Sequence, residues 1–384
     1  MCNAHTSELS CGRPGPDPAD RARTMSRRGV LGAVAASAAA VTAGGLTGHA
    51  SAAKAAPGPA PGLSSGPSVT LLGANGGPPP LAARFGTASV LVVNGRSYVV
   101  DCGRGAVSQF ARAGLPVTSL AGIFLTHLHS DHIVDYFSFP LLLANGSQVT
   151  QPFGVYGPGP AGEQSLVPSA PGPLPGTAAM TRLAGQAFAA SSSFFIAEHI
   201  AVDPVSLVNV HEIVPPASAG TSLSNPAPAM APFTVMENSD VKVTAILVPH
   251  GAVYPAYAYR FDADHGSVVF SGDTAPTPNI PALARNADLL VHEALDLAAF
   301  AGLGLPPALL THLANVHTDV TKLGGIAAAS GVKALVATHL SPGDPALLSD
   351  QAWRRALRDS ARQGDFPGPV ILGMDLMRLP VGRH

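Results

Sequence analysis

Short apolar runs punctuated by turn residues predict a strand-rich chain from Val69 onward. Val69-Thr70-Leu71-Leu72, Ala88 to Val93 and Ser97 to Val100 are apolar and β-branched. Asn94-Gly95 between the last two signals a tight hairpin. Gln109 to Ala113 reads as part of a helix stopped by Gly114, and Ala121-Gly122-Ile123-Phe124-Leu125 as a buried strand. Ile133 to Ala144 predicts a helix packed close to whatever Leu125 leads into. Residues 157–190 are rich in Pro, Gly and Ala and predict an extended loop or lid, within an expanded segment 157–234. Later strands are expected at Lys242 to Val248, Ala256 to Phe261, Ser267 to Phe270, Asp288 to Val291 and Ala334 to Ala337. A helix over Val320 to Ala329 ends at Ser330-Gly331. Strands in two batches, each followed by helix, suit two sheets packed face to face, although periodicity alone specifies only a mixed α and β fold.

Composition narrows this picture. With 384 residues, 46% hydrophobic and 12% charged, the chain can bury one large core and is too apolar for disorder. Residues 1–56 hold six of the 22 Lys/Arg and three of the 24 Asp/Glu, which leaves 16 basic and 21 acidic side chains in the remainder. A mildly acidic body disfavours a nucleic-acid partner. Ser26-Arg27-Arg28-Gly29-Val30-Leu31 resembles the bacterial twin-arginine pattern, and an uncharged stretch runs from Gly29 to Gly48. Residues 1–56 are therefore expected to be an export signal read by the twin-arginine machinery, cleaved near Ala50-Ser51-Ala52, with an extracellular or periplasmic destination. An uncleaved anchor is the alternative, but a stretch dominated by Ala and Gly inserts poorly. Residues 57–67 have the composition of a disordered linker, and 68–384 form the domain proper. Cys2 and Cys11 fall in the leader, so Cys102 is left without an internal disulfide partner and reads as a packed small side chain.

The chemistry is concentrated in Thr126-His127-Leu128-His129-Ser130-Asp131-His132, four metal-ligand side chains within six positions directly after a strand. Side chains two apart at a strand's end point the same way, so His127 and His129 can share one ion while Asp131 and His132 fall beside a second. Imidazole with carboxylate suits zinc, and neither set is complete, so other segments must contribute. Four later strand ends offer candidates: His250 in Val248-Pro249-His250-Gly251, Asp273 in Ser271-Gly272-Asp273-Thr274, His292-Glu293, and His339 in Thr338-His339-Leu340.

His-x-His-x-Asp-His resembles the signature of the metallo-β-lactamase superfamily, and the later segments in this order are similar to its ribonuclease Z branch, which includes arylsulfatase-like and phosphodiesterase-like members. The resemblance implies an α+β fold, a four-layer αββα sandwich, and two zinc ions per chain, with manganese or iron as alternatives. It implies that His127, His129 and His250 hold one ion, that Asp131, His132 and His339 hold the other, and that Asp273 bridges them. His292 would protonate the leaving group, Glu293 would orient it and His317 would close the hydrogen-bond net; Asp131 is counted with them in catalysis. Asp101 is expected to support a ligand imidazole from below.

The tRNA-processing members carry a Gly/Pro-rich arm where this chain has only Asp262-Ala263-Asp264-His265-Gly266, so the expected substrate is a small phosphodiester or aryl sulfate ester rather than tRNA. A lactone or amide hydrolase, the tRNA 3′-processing endonuclease and a zinc-binding protein on an inactive scaffold remain alternatives, and a homodimer is left open. Tyr254, Tyr257 and Phe195 are candidate substrate walls, whereas His199, His211, His265 and His312 are expected outside the site.

Overall fold

A computed structural model describes residues 66–382 apart from 147, 148 and 150. The residues expected to form the export signal, and nearly all of those expected to form a linker, lie outside the described residues. Among those described, no helix is long and apolar enough to cross a membrane.

Fourteen strands are described: β1 Ser68–Gly73, β2 Ala88–Val93, β3 Arg96–Val100, β4 Leu120–Phe124, β5 Phe153–Pro158, β6 Val208–Ile213, β7 Phe233–Glu237, β8 Lys242–Leu247, β9 Tyr257–Ala263, β10 Gly266–Phe270, β11 Leu289–Leu295, β12 Ala334–Ser341, β13 Val370–Leu372 and β14 Arg378–Pro380. They make two seven-stranded sheets, ordered β14-β1-β2-β3-β4-β5-β6 and β13-β12-β11-β10-β9-β8-β7. Each is mixed: antiparallel hairpins such as β2-β3 and β9-β10 sit beside parallel pairs such as β4-β5 and β11-β12. Asn94 and Gly95, at φ 50° and 77°, close the β2-β3 hairpin with both central residues left-handed, a turn whose twist matches its strands.

Three apolar clusters define four layers. The central one joins the sheets through Leu91, Phe124, Val243, Tyr259, Val268 and Val291. A second lies between the outer face of the second sheet and the helices Asn279–Leu283, Val320–Ser330 and Asp350–Gln363. The third backs the first sheet with Phe110, Phe137 and Phe139. In Asp350–Gln363, Trp353, Leu357 and Ser360 recur at helical spacing and are buried while the other face is charged. The αββα sandwich implied by the resemblance is what the chain forms.

Two expected elements differ. Ile133 to Ala144 is broken into helices Ser130–Ile133 and Ser138–Leu143. Pro140 has no N–H to return to Tyr136, so a continuous helix loses a bond there, and the Tyr136 carbonyl accepts from Phe139 at 3.2 Å instead. Residues 157–190 are not all loop: helix Thr177–Ala187 begins inside them and Ala189–Ala197 follows. Thr181 anchors the first of these through the Tyr136 hydroxyl, 2.8 Å away.

Candidate metal centre

Strand ends from both sheets meet at one edge of the sandwich. His127, His129, Asp131 and His132 follow β4 of the first sheet; His250 and Asp273 follow β8 and β10 of the second, and His339 lies on β12. The ligand atoms of His127, His129, His250 and Asp273 all lie within 4.8 Å of one another, as do those of Asp131, His132, Asp273 and His339. Asp273 belongs to both groups, and each group takes two residues from each sheet. All seven residues nominated as ligands converge.

The imidazoles are held so that one nitrogen of each faces inward. The Asp101 carboxylate accepts from the Thr126 amide at 2.8 Å and from its hydroxyl, leaving the Thr126 oxygen as acceptor for His127 Nδ1 at 3.1 Å. Asp101 Oδ2 also lies 2.8 Å from His132 Nδ1, and the Val316 carbonyl accepts from His250 Nδ1 at 2.7 Å. With the Nδ1–H of His127, His132 and His250 occupied outside, their Nε2 lone pairs are left for the interior, whereas His129 turns Nδ1 inward, 3.2 Å from His250 Nε2. His132 Nε2 lies 3.3 Å from Asp273 Oδ1, and His339 Nε2 lies 3.3 Å from both Asp273 and Asp131. Asp131 is fixed in turn by the Gly77 amide at 3.1 Å.

His339 reaches its place through a local irregularity. The β11-β12 register slips after Glu293, which pairs with Thr338, while Ala294 pairs with Leu340. His339 is the extra residue, at φ 46°, and a bulge of this kind re-aims a side chain. Gly76 lies against it: a Cβ there would come within 2.5 Å of the His339 carbonyl oxygen.

The electrostatics fit cations. Burial holds His127 well below its ordinary range and brings His129 to about 4, so both stay neutral and able to coordinate. His250 is lowered for the same first reason. Burial opposes charge on His132 too, but Asp273 and Asp101 overcome it and push it well above the usual value. Burial likewise opposes ionisation of Asp131, which the His339 hydrogen bond and the His132 charge nonetheless bring down to about 2. The field that favours a proton on His132 would favour a divalent cation more. His127 Nε2, His132 Nε2 and Asp273 Oδ1 are buried without a hydrogen-bond partner, which suits donor atoms aimed at metal.

His292 and Glu293 part company. Alternation along β11 places Leu290 and Ala294 in the helix-side cluster and Leu289 and Val291 in the inter-sheet cluster. His292 therefore faces the helices, fully buried, with Nδ1 on the Glu293 carbonyl at 2.8 Å. Glu293 faces the site. Its Oε1 accepts from Thr274 N at 3.0 Å, Thr318 N at 3.1 Å and His317 Nδ1 at 3.1 Å. The expected orientation of His292 by the Glu293 side chain is thus corrected: the carboxylate holds His317. Burial lowers the His317 pKa, but the Glu293 carboxylate outweighs it and raises that imidazole to about 9. His317 and Glu293 share a third ligand-like group with His339.

Tyr257 is core rather than a wall of the site, and Phe195 sits on the exposed helix Ala189–Ala197. His199, His211, His265 and His312 are exposed and belong to none of the ligand-like groups among the described residues. Cys102 is buried in the first sheet's outer cluster.

Ribonuclease Z of Mycobacterium marinum is 30% identical over 315 residues, covering 82% of this chain and 98% of that protein. The chain belongs to the ribonuclease Z branch of the metallo-β-lactamase superfamily. The ribonuclease Z of Mycobacterium sp. (strain KMS) is 31% identical over 316 residues, 82% of this chain and 95% of its own length. A family model described as anti-Pycsar protein Apyc1 matches residues 69–137. Among solved structures, human tRNase Z, short form, aligns with TM-score 0.54 at 21% identity over 82% of this chain and all of that one. The metallo-β-lactamase fold protein YhfI from Bacillus subtilis aligns at 0.53 with 18% identity over 82% and 99%. These two likenesses show the metallo-β-lactamase fold. The chain is a metallo-hydrolase of that branch, with His/Asp clusters suited to divalent metal.

Proposed function

We propose that this protein is an exported, dizinc-dependent hydrolase of small phosphodiesters. The observation that carries the reading is the pair of four-residue clusters sharing Asp273. Imidazole and carboxylate donors in these numbers suit zinc. Two cations held there would supply Lewis-acid stabilisation of a developing oxyanion and a solvent nucleophile active at neutral pH. The chain's own part is positioning and proton transfer. Asp131 and Asp273 would hold the ions together with the inward imidazoles, and Asp101 steadies His132 and Thr126 from below. Glu293 holds His317 at Nδ1 and favours its protonated form, which makes His317 Nε2 the proton donor to the leaving oxygen. His292, on the opposite strand face, has no part in that transfer.

Relatives named ribonuclease Z support a phosphodiester as the scissile group. A small substrate suits the chain: β9 and β10 are joined by a tight turn at Asp264-His265, so no arm projects there to clamp an RNA. An acidic body and the twin-arginine pattern in residues 26–31 favour a small substrate met after export. An aryl sulfate ester presents the same single negative charge on a tetrahedral centre and is the second substrate to test. Zinc-loaded protein should turn over bis-p-nitrophenyl phosphate faster than p-nitrophenyl sulfate or a lactone. Preference for the lactone, or cleavage of precursor tRNA as the faster reaction, would overturn the reading.

A further inference from the structure

A cavity of about 230 Å³ opens beside Asp131, with Gly77, the Pro78-Pro79-Pro80 run, Val134 and Arg104 among its walls. Its lining is largely apolar, and only Asp131 and Arg104 carry charge. Both charges are already engaged. Asp131 accepts from Gly77 N and faces His339, and Arg104 donates to the Leu81 and Arg84 carbonyls at 2.7 and 2.6 Å. The proline loop is held at both ends: Asp375 accepts from the Ala74 and Phe85 amides at 3.0 and 2.7 Å, and buried Arg84 donates to the Gly343 carbonyl at 2.7 Å. Three prolines with fixed φ stiffen the part between. The cavity is therefore preformed, and one of its walls is a metal-ligand residue. Cavities of about 150 Å³ lined by apolar side chains accept a benzene ring, so this one has room for a single planar ring.

Building on the hydrolase reading, we propose that this cavity binds the organic substituent of the ester, an uncharged planar ring, while the ester's anionic head lies at the metal clusters. The Pro78-Pro79-Pro80 run offers no ligand or proton carrier, so its effect is on which ester binds, not on the chemistry. Val134, 62% exposed at the rim, sets the width of the opening.

Calorimetry with the zinc-loaded full chain tests this with two probes that share a head group, phenylphosphonate and methylphosphonate. Burying one ring should make phenylphosphonate bind about 10- to 100-fold tighter. Val134→Trp should cut that preference to within about threefold by filling the opening, while methylphosphonate affinity and zinc content stay as in the wild type. A nucleoside 5′-phosphonate extends the series: tighter binding than phenylphosphonate, abolished by Val134→Trp, makes the ring a nucleobase, and weaker binding makes it a simple aryl group. Equal wild-type affinities for the phenyl and methyl probes, or a preference that survives Val134→Trp, overturn the assignment while leaving the hydrolase reading intact. Failure of both to bind protein that retains two zinc ions overturns both.

Discussion

Replacing Asp273 by Asn keeps its shape and removes one negative charge from the point where the two clusters meet. Its carboxylate oxygens lie 3.3 Å from His132 Nε2 and His339 Nε2, 3.8 Å from His250 Nε2 and 4.0 Å from His127 Nε2. Of the seven candidate ligands only Asp131 and Asp273 are acidic, so Asp273→Asn halves the charge that faces two divalent cations. One unit charge and a divalent ion about 4 Å apart at an effective dielectric constant of about 20 attract by about 8 kcal/mol, and a net loss of about half of that is close to a thousandfold in affinity. Direct coordination is shorter and therefore stronger, whereas the amide oxygen and solvent recover part of the loss. The expected result is a fall of about a hundred- to a thousandfold in affinity for both ions, read by chelator competition and metal analysis after dialysis. Thermal unfolding of metal-free protein controls for damage to the fold. Two ions retained with wild-type affinity would refute the assignment of Asp273 as a shared ligand. Weakening of only one ion would show that it serves a single cluster.

Other expectations follow from the same geometry. His317→Ala should slow alkyl phosphodiesters by about 10²- to 10⁴-fold yet largely spare p-nitrophenyl esters, whose leaving group needs no proton. His292→Ala should lower the unfolding temperature without that leaving-group dependence, and a selective loss on poor leaving groups would return the acid role to His292. Asp101→Asn should weaken the His132 cluster about 10- to 100-fold, seen as one weakened phase in a chelator titration. In metal-free protein, His317 and His132 have pKa values raised by folding, so their stabilisation is complete below about 6.5 and is lost as pH rises, through about 9 for His317. The unfolding temperature should fall over that window, and Glu293→Gln should flatten the fall; an unchanged slope in that variant would count against the His317–Glu293 pair.

Much of the fold was legible because its strands are short, apolar and closed by recognisable turns, as at Asn94-Gly95 and Gly331. Ligand residues were legible because each stands where an apolar run stops. Less could be read where local pattern and tertiary setting disagree. β5 is interrupted by Gly154, Gly157 and Pro158 yet lies between β4 and the edge strand β6, where parallel neighbours on both sides hold it. The helices over 177–197 carry few buried side chains and so no clear amphipathic stripe. The resemblance implies that the Glu293 side chain orients His292, although adjacent residues on a strand face opposite ways, and that alternation is already present in Leu290, His292 and Ala294. The cavity of the proline loop depends on Asp375 and Arg104, far apart in sequence, and has no local signal at all.

Each ligand-like cluster draws half its donors from one sheet and half from the other. A fragment carrying only the first sheet would own two donors per ion, too few to hold zinc firmly, so binding reports that the halves have docked. Loading the metal then works as a fold-quality gauge, and the occupied protein should resist pulling apart along that interface more than the empty one. For a chain that the twin-arginine route would carry already folded, the gauge would be read before departure.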